Sequence, residues 1–103
     1  MKFADIKFKS HGIDPDGLHG IVKFDNGYGL SVVKHGYSYG GSKGLYEVGL
    51  VEFFDSGDEN WNLINNDELG YSDVVGWLTP EDVDAEIEKV SNASSDLRVK
   101  NYS

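Results

Sequence analysis

Residues 21–33 read IVKFDNGYGLSVV, and this stretch decides the fold. Two apolar-rich runs flank Asp25-Asn26-Gly27, a strong short-range signal for a β-hairpin. The register follows from the loop length that keeps the apolar set together. A three-residue loop pairs Phe24 with Tyr28 and Val22 with Leu30, so Val22, Phe24, Tyr28, Leu30 and Val32 share one face. A two-residue loop would set Phe24 opposite Gly29 and scatter that set. Gly27 is therefore expected in the left-handed conformation, closing a bulged turn.

On the C-terminal side, Leu45–Phe54 is a long apolar run. Tyr46, Val48 and Leu50 would share one face, with Leu45, Val51 and Phe53 on the other, as in a central strand buried on both sides. Trp61–Ile64 reads as a further short strand, and residues 2–9 (KFADIKFK) read as a strand or edge strand. Glycine- and proline-punctuated loops separate them at 10–19, 35–44, 55–60 and 65–70.

The helix signal is equally specific. Thr79 can cap, Pro80 suits the first helical position, and Glu81 and Asp82 favour the positive end of the helix dipole. Leu78 and Val83 have the spacing of a hydrophobic staple. Val83, Ile87 and Val90 form a narrow apolar stripe, Asp84, Glu86 and Glu88 are expected to face water, and the helix should stop near Ser91-Asn92. The expected fold is α+β: a small antiparallel sheet of four to five strands with one C-terminal helix packed on one face. Residues 1–92 make one domain and 93–103 a polar, frayed tail. Trp61 and Trp77 are expected as core anchors.

At 103 residues the chain has the size of one small domain, and 39% hydrophobic content supports a modest core. It has no cysteine, which removes disulfide and thiolate chemistry and fits a reducing compartment. No apolar run reaches the length of a membrane span, and the first residues lack the apolar core of a signal peptide. The expectation is a cytoplasmic protein without membrane contact.

Charge is segregated along the chain. Residues 45–88 hold 13 acids and no Lys or Arg, within a net charge of −9. Ordinary solvated faces mix both signs. An acidic stretch folded onto one surface repels nucleic acid and attracts basic partners. Its bland counterpart is a surface that only keeps the protein soluble. The candidate interaction residues are Glu52, Asp55, Asp58, Glu59, Asp67 and Glu68.

A second candidate is the segment HGYSYGGSKG at 35–44. Tyrosines on glycine-rich loops make low-entropy contact surfaces, so Tyr37, Tyr39 and Tyr46 could stack on a small ligand. The alternative is a loop whose tyrosines cover the sheet edge. Gly40-Gly41-Ser42-Lys43 lacks the spacing of a phosphate-binding loop. Asp14-Pro15-Asp16-Gly17 resembles a fragment of a calcium loop but lacks the closing glutamate, and a turn is the expected reading. His11, His19 and His35 lack metal-site spacing, and no nucleophile–base pair can be named. Neither metal, cofactor nor enzymatic activity is expected.

The stretch NGYGLSVVKHGYSYGGSKGLYEV at 26–48, followed by DVVGWLTPEDV at 73–83, resembles a recurring group of small tailed-phage proteins. That group carries an "NGYG-SVV" hairpin, a "SYG…GLYE" segment and a "G-LT-E-V" helix start. The matching residues here are Asn26–Val33, Ser38–Glu47 and Gly76–Val83. The resemblance implies phage origin and expression in the host cytoplasm, and it implies no activity. With the charge pattern, the leading expectation is a non-enzymatic protein that binds a host protein with a basic surface. It would act as a nucleic-acid mimic, inhibiting for example a nucleic-acid-binding defence complex, with no direct nucleic-acid contact of its own. A nucleotide-like ligand-binding module and an assembly accessory are the alternatives.

Overall fold

The computed structural model describes residues 2–10, 17–36, 43–54 and 60–93. A six-stranded antiparallel sheet carries one α-helix. The strands are β1 (Lys9–Ser10), β2 (Leu18–Lys23), β3 (Tyr28–Lys34), β4 (Tyr46–Phe53), β5 (Trp61–Leu63) and β6 (Val75–Leu78), and the helix is α1 (Pro80–Ser91). The strand order is β1-β2-β3-β4-β5. β6 also pairs β4, and it uses the start of that strand, whereas β5 uses its end.

The hairpin has the expected register. Val22 pairs Leu30, and the Phe24 N–H donates to Tyr28 O at 2.9 Å. Gly27 closes the turn at φ 88, a conformation that β-branched residues avoid. β4 is buried along nearly its whole length, as its apolar run requires. Tyr46, Val48 and Leu50 join Val22, Phe24, Tyr28, Leu30 and Val32 in one core, on which Val83, Ile87 and Val90 of α1 pack. Val51 and Phe53 are buried on the opposite face. There the sheet is tightly fitted. A Cβ on Gly29 would stand 2.1 Å from Val22 O and 2.5 Å from Phe53 Cε2, so only glycine fits.

α1 begins as its sequence specifies. Thr79 Oγ1 accepts from the Asp82 N–H at 3.2 Å, and Asp82 Oδ2 accepts from the Thr79 N–H at 3.0 Å. Three polar contacts then hold the helix on the sheet. At its C-terminal end, Asn26 in the hairpin turn donates from Nδ2 to Val90 O at 2.8 Å and to Ala93 O at 2.9 Å. Val90 O also accepts from the Ala93 N–H at 3.1 Å, and the turn adds a side-chain donor at this end of the helix. Near its N-terminal end, Asp84 accepts from the Phe3 N–H. Between them, the buried Tyr71 donates its hydroxyl to Glu86 Oε1 at 2.6 Å, and Lys89 pairs with that oxygen at 2.9 Å. Asp84 and Glu86 are thus tethers, and of the three acids expected in water only Glu88 is fully exposed.

Two further readings are corrected. Residues 3–5 form a short 3-10 turn where a strand was expected, and only Lys9–Ser10 pair with β2. Asp5 captures the chain locally, its carboxylate accepting from the Lys2 N–H at 2.9 Å. Beyond that turn, Ile6 joins the core, Phe8 packs against it, and Lys7 and Lys9 are exposed. β6 is the strand without an expected counterpart, which brings the sheet to six. Most of the expected tail at 93–103, of the loop at 35–44, of the calcium-like fragment at 14–17 and of the polar turn at 55–60 lies outside the described residues (94–103, 37–42, 14–16 and 55–59).

Ile87 is 2% exposed between helix and sheet. Ile87→Ala is expected to cost about 2 to 4 kcal/mol by leaving a cavity, whereas Thr79→Ala, which removes only a cap, costs about 1 kcal/mol. Denaturant midpoints check both.

Burial raises the Tyr71 pKa far above its ordinary 10.0, and the hydrogen bond to Glu86 and the charge of Glu86 add to the rise. A raised native pKa contributes stability that is fully present below the unfolded value and lost as pH climbs above it. Tyr71→Phe should therefore be less stable than the parent by about 1 to 3 kcal/mol at neutral pH. That gap should narrow above about pH 10, as urea unfolding across the alkaline range would register.

Candidate functional site

The two faces of the sheet differ in what covers them. The face bearing Val22, Tyr28, Leu30 and Val48 is closed by α1 and by the 3-10 turn at Phe3–Asp5. The opposite face is covered, among the described residues, by its own side chains. Strand alternation sorts the charges with it. In Ile6-Lys7-Phe8-Lys9 the apolar positions turn to the core, and Lys7 and Lys9 turn to the open side. β1 pairs Lys9 with His19, and His19, Ile21 and Lys23 are the alternate positions of β2 on that same side. β4 and β5 close the far wall, where Phe53 pairs Trp61.

The result is a groove of about 630 Å³ lined by Lys7, Lys9, His19, Lys23, Phe53 and Trp61. Its aromatic side is ordered. Lys23 Nζ stands 5.1 Å over the Phe53 ring, and Phe53 itself is buried. The His19 ring meets Trp61 edge-on at 6.4 Å between centroids. His19 Nε2 lies 3.2 Å from Ser31 Oγ, which fixes the imidazole on the sheet. Trp61 is half-buried, a wall of this groove and not the core anchor expected.

Acids dominate elsewhere. Asp67 and Glu68 lie exposed on the 3-10 helix Asp67–Leu69, which is closed by Gly70 at φ 84. Asp73, Glu81, Asp82 and Glu88 are also exposed. Glu52 is not part of such a surface. It is 3% exposed, because strand alternation from Leu50 turns it to the helix side, in register with Tyr28 and Asn62. Asp55, Asp58 and Glu59 lie outside the described residues, as do Tyr37 and Tyr39. Tyr46 is 8% exposed in the core, edge-on to Phe3 at 5.0 Å with Lys34 Nζ 5.3 Å above its ring. Its phase in β4 makes it a packing residue, which removes it from the proposed contact surface.

Trp77 is the second correction among the aromatics. It is 55% exposed and adopts φ 64, the sole non-glycine residue with positive φ among those described. The cause is a register shift: Tyr46 pairs Leu78 and Val48 pairs Val75, so β6 carries one more residue than β4 across the same span. That bulge turns Trp77 outward in a conformation costing about 1 to 3 kcal/mol for a bulky side chain. Trp77 lies between Asp73 and Glu81-Asp82 in the sequence.

Among the described residues, no group of three or more His, Asp or Glu could hold a metal ion. No helix among the described residues is long and apolar enough to cross a membrane. No protein-family model matches the chain, and comparison with curated proteins and with solved structures finds no significant match.

Trp77→Gly should leave stability unchanged or raise it by about 1 kcal/mol, because glycine accepts a positive φ without strain. A buried tryptophan would instead cost about 3 to 5 kcal/mol on truncation. Thermal or denaturant unfolding of this one variant separates the two.

Proposed function

We propose that this is a non-enzymatic binding protein that meets a basic protein surface, with Trp77 as its anchor and the surrounding acids as its rim. The observation that carries the reading is Trp77 itself. A large aromatic held outward in a strained backbone is an unfavourable arrangement for folding alone, and such strain concentrates at sites of function. Exposed tryptophans are among the commonest energetic anchors of protein interfaces. The neighbouring acids Asp73, Glu81 and Asp82, with Asp67 and Glu68 nearby in sequence, would steer a cationic partner and speed its encounter.

A partner whose own ligand is nucleic acid offers a basic surface of this kind, and the protein would then compete as a nucleic-acid mimic. The resemblance of the hairpin and helix start to tailed-phage proteins supports a bacterial host as the source of that partner, a defence complex being one candidate. The reading needs no contribution from Glu52 or Tyr46, whose burial serves folding.

The test is capture from a bacterial lysate at low and high salt, followed by binding kinetics with the captured protein. Trp77→Gly should raise the off-rate at least tenfold. Neutralising Asp67, Glu68, Asp73 and Glu81 to Asn or Gln should chiefly slow association and flatten its salt dependence. Capture of the same protein, with equal kinetics, by parent and both variants would overturn the proposal.

A further inference from the structure

We propose that the groove on the open face of the sheet is a binding site for a nucleoside phosphate, its base against Trp61 and its phosphate among Lys7, Lys9 and Lys23. The inference is independent of the acidic contact surface and uses the opposite charge on a different face.

Three observations converge on this ligand chemistry. First, charge is locally inverted. In a chain of net charge −9, three lysines and a histidine line one concavity. Lys7 and Lys9 are exposed there, and the described lining residues include no acid. The exposed Lys7 and Lys9 bring two positive charges to this side of the sheet, which favours an anion there. Second, the groove offers a ring surface beside the charge. Trp61 is half-buried and braced by His19, itself tied to Ser31, so the indole is positioned before any ligand arrives. Bases stack on such rings through a π-face common to all of them. Third, the size is suitable. About 630 Å³ falls in the range of small-ligand sites and matches one nucleotide better than a strand of several. The exposed acids of the described surface repel a long polyanion, whereas a single phosphate is small enough to lie against the groove lysines.

The fold also explains why the ring and the charge lie together. β1 pairs with β2 at one edge and β5 pairs with β4 at the other, and between them Gly29 lies opposite Lys23 and Ser31 opposite Ile21. The Phe53 ring lies over Gly29, where a Cβ would come within 2.5 Å of it, and so forms part of the floor. Side chains from the two edges therefore enclose a shallow space over the centre of the sheet.

The probe is adenosine 5′-monophosphate, measured by equilibrium dialysis at low salt against adenosine, inorganic phosphate and a thymidine decanucleotide. One molecule of the monophosphate should bind per chain, at least tenfold more tightly than adenosine or phosphate. Raising ionic strength from about 0.01 to about 0.15 M shortens the screening length from about 30 to about 8 Å and should weaken binding. Trp61→Ala should weaken it roughly tenfold. Lys7→Gln with Lys9→Gln should do so by a similar factor, while Lys2→Gln, outside the groove, should not. Denaturant midpoints and circular dichroism confirm that each variant is folded, and Trp61→Phe, which keeps a ring, should retain most of the affinity. Absence of monophosphate binding to the folded parent at low salt would overturn the proposal. So would tighter binding of the decanucleotide, or phosphate binding as tight as the monophosphate and indifferent to Trp61→Ala, which marks an adventitious anion site only.

Discussion

The attachment of α1 to one face of the sheet is the constraint on which the rest of the structure depends. A narrow stripe of Val83, Ile87 and Val90 supplies the apolar contact. A stripe that narrow fixes position poorly along its own axis, and polar contacts complete the job. Asn26 seats the C-terminal carbonyls, Asp84 ties the N-terminal segment, and Tyr71 bonds Glu86 midway. The hairpin turn therefore does two things. It sets the register of β2 and β3, and through Asn26 it fixes where the helix ends. Tyr28, whose N–H donates to Asn26 Oδ1 at 3.0 Å, connects that turn to the centre of the core.

Fixing the helix on one side determines what the other side can be. The core face takes the larger apolar set, and on the opposite face three of the lysines gather beside the apolar Val51 and Phe53 of β4. Acids on the 3-10 helix at Asp67–Leu69 and along α1 populate the rest of the described surface. Part of the separation of sign seen along the sequence thus becomes a separation in space, with lysines lining the groove and exposed acids on the 3-10 helix and α1. Each proposal draws on one of these, and they can stand or fall separately.

Elements with local signals were legible in the sequence. The Asp25-Asn26-Gly27 turn and the Thr79-Pro80 start place the hairpin and the helix without reference to anything distant. β6 was not legible because its bulge at Trp77 breaks the alternation that marks a strand. The N-terminal strand reading failed at Phe3–Asp5 because the Asp5 carboxylate offers the backbone a closer partner than a neighbouring strand. The site was less legible for a related reason. A count of acids is blind to strand phase, and phase buries Glu52; the same phase places Tyr46 inside. The polar positions of the hairpin could be read, Lys23 among them. Their meeting with Lys7, Lys9 and Trp61 depends on which strands pair across some fifty residues, and nothing local encodes that.

The claim that α1 and the sheet form one cooperative unit, with the helix fixed by Asn26, Asp84 and Tyr71, is tested most directly by native-state amide hydrogen exchange. The amides of Ile87 and Val90 should exchange through the same global opening as those of Leu30 and Leu50 in β3 and β4, with matching free energies and matching denaturant dependence. Helix amides that exchange through a separate, lower-energy opening while β3 and β4 stay protected would contradict the account. The helix would then be a detachable cover, and the face beneath it would be as open to partners as the one opposite.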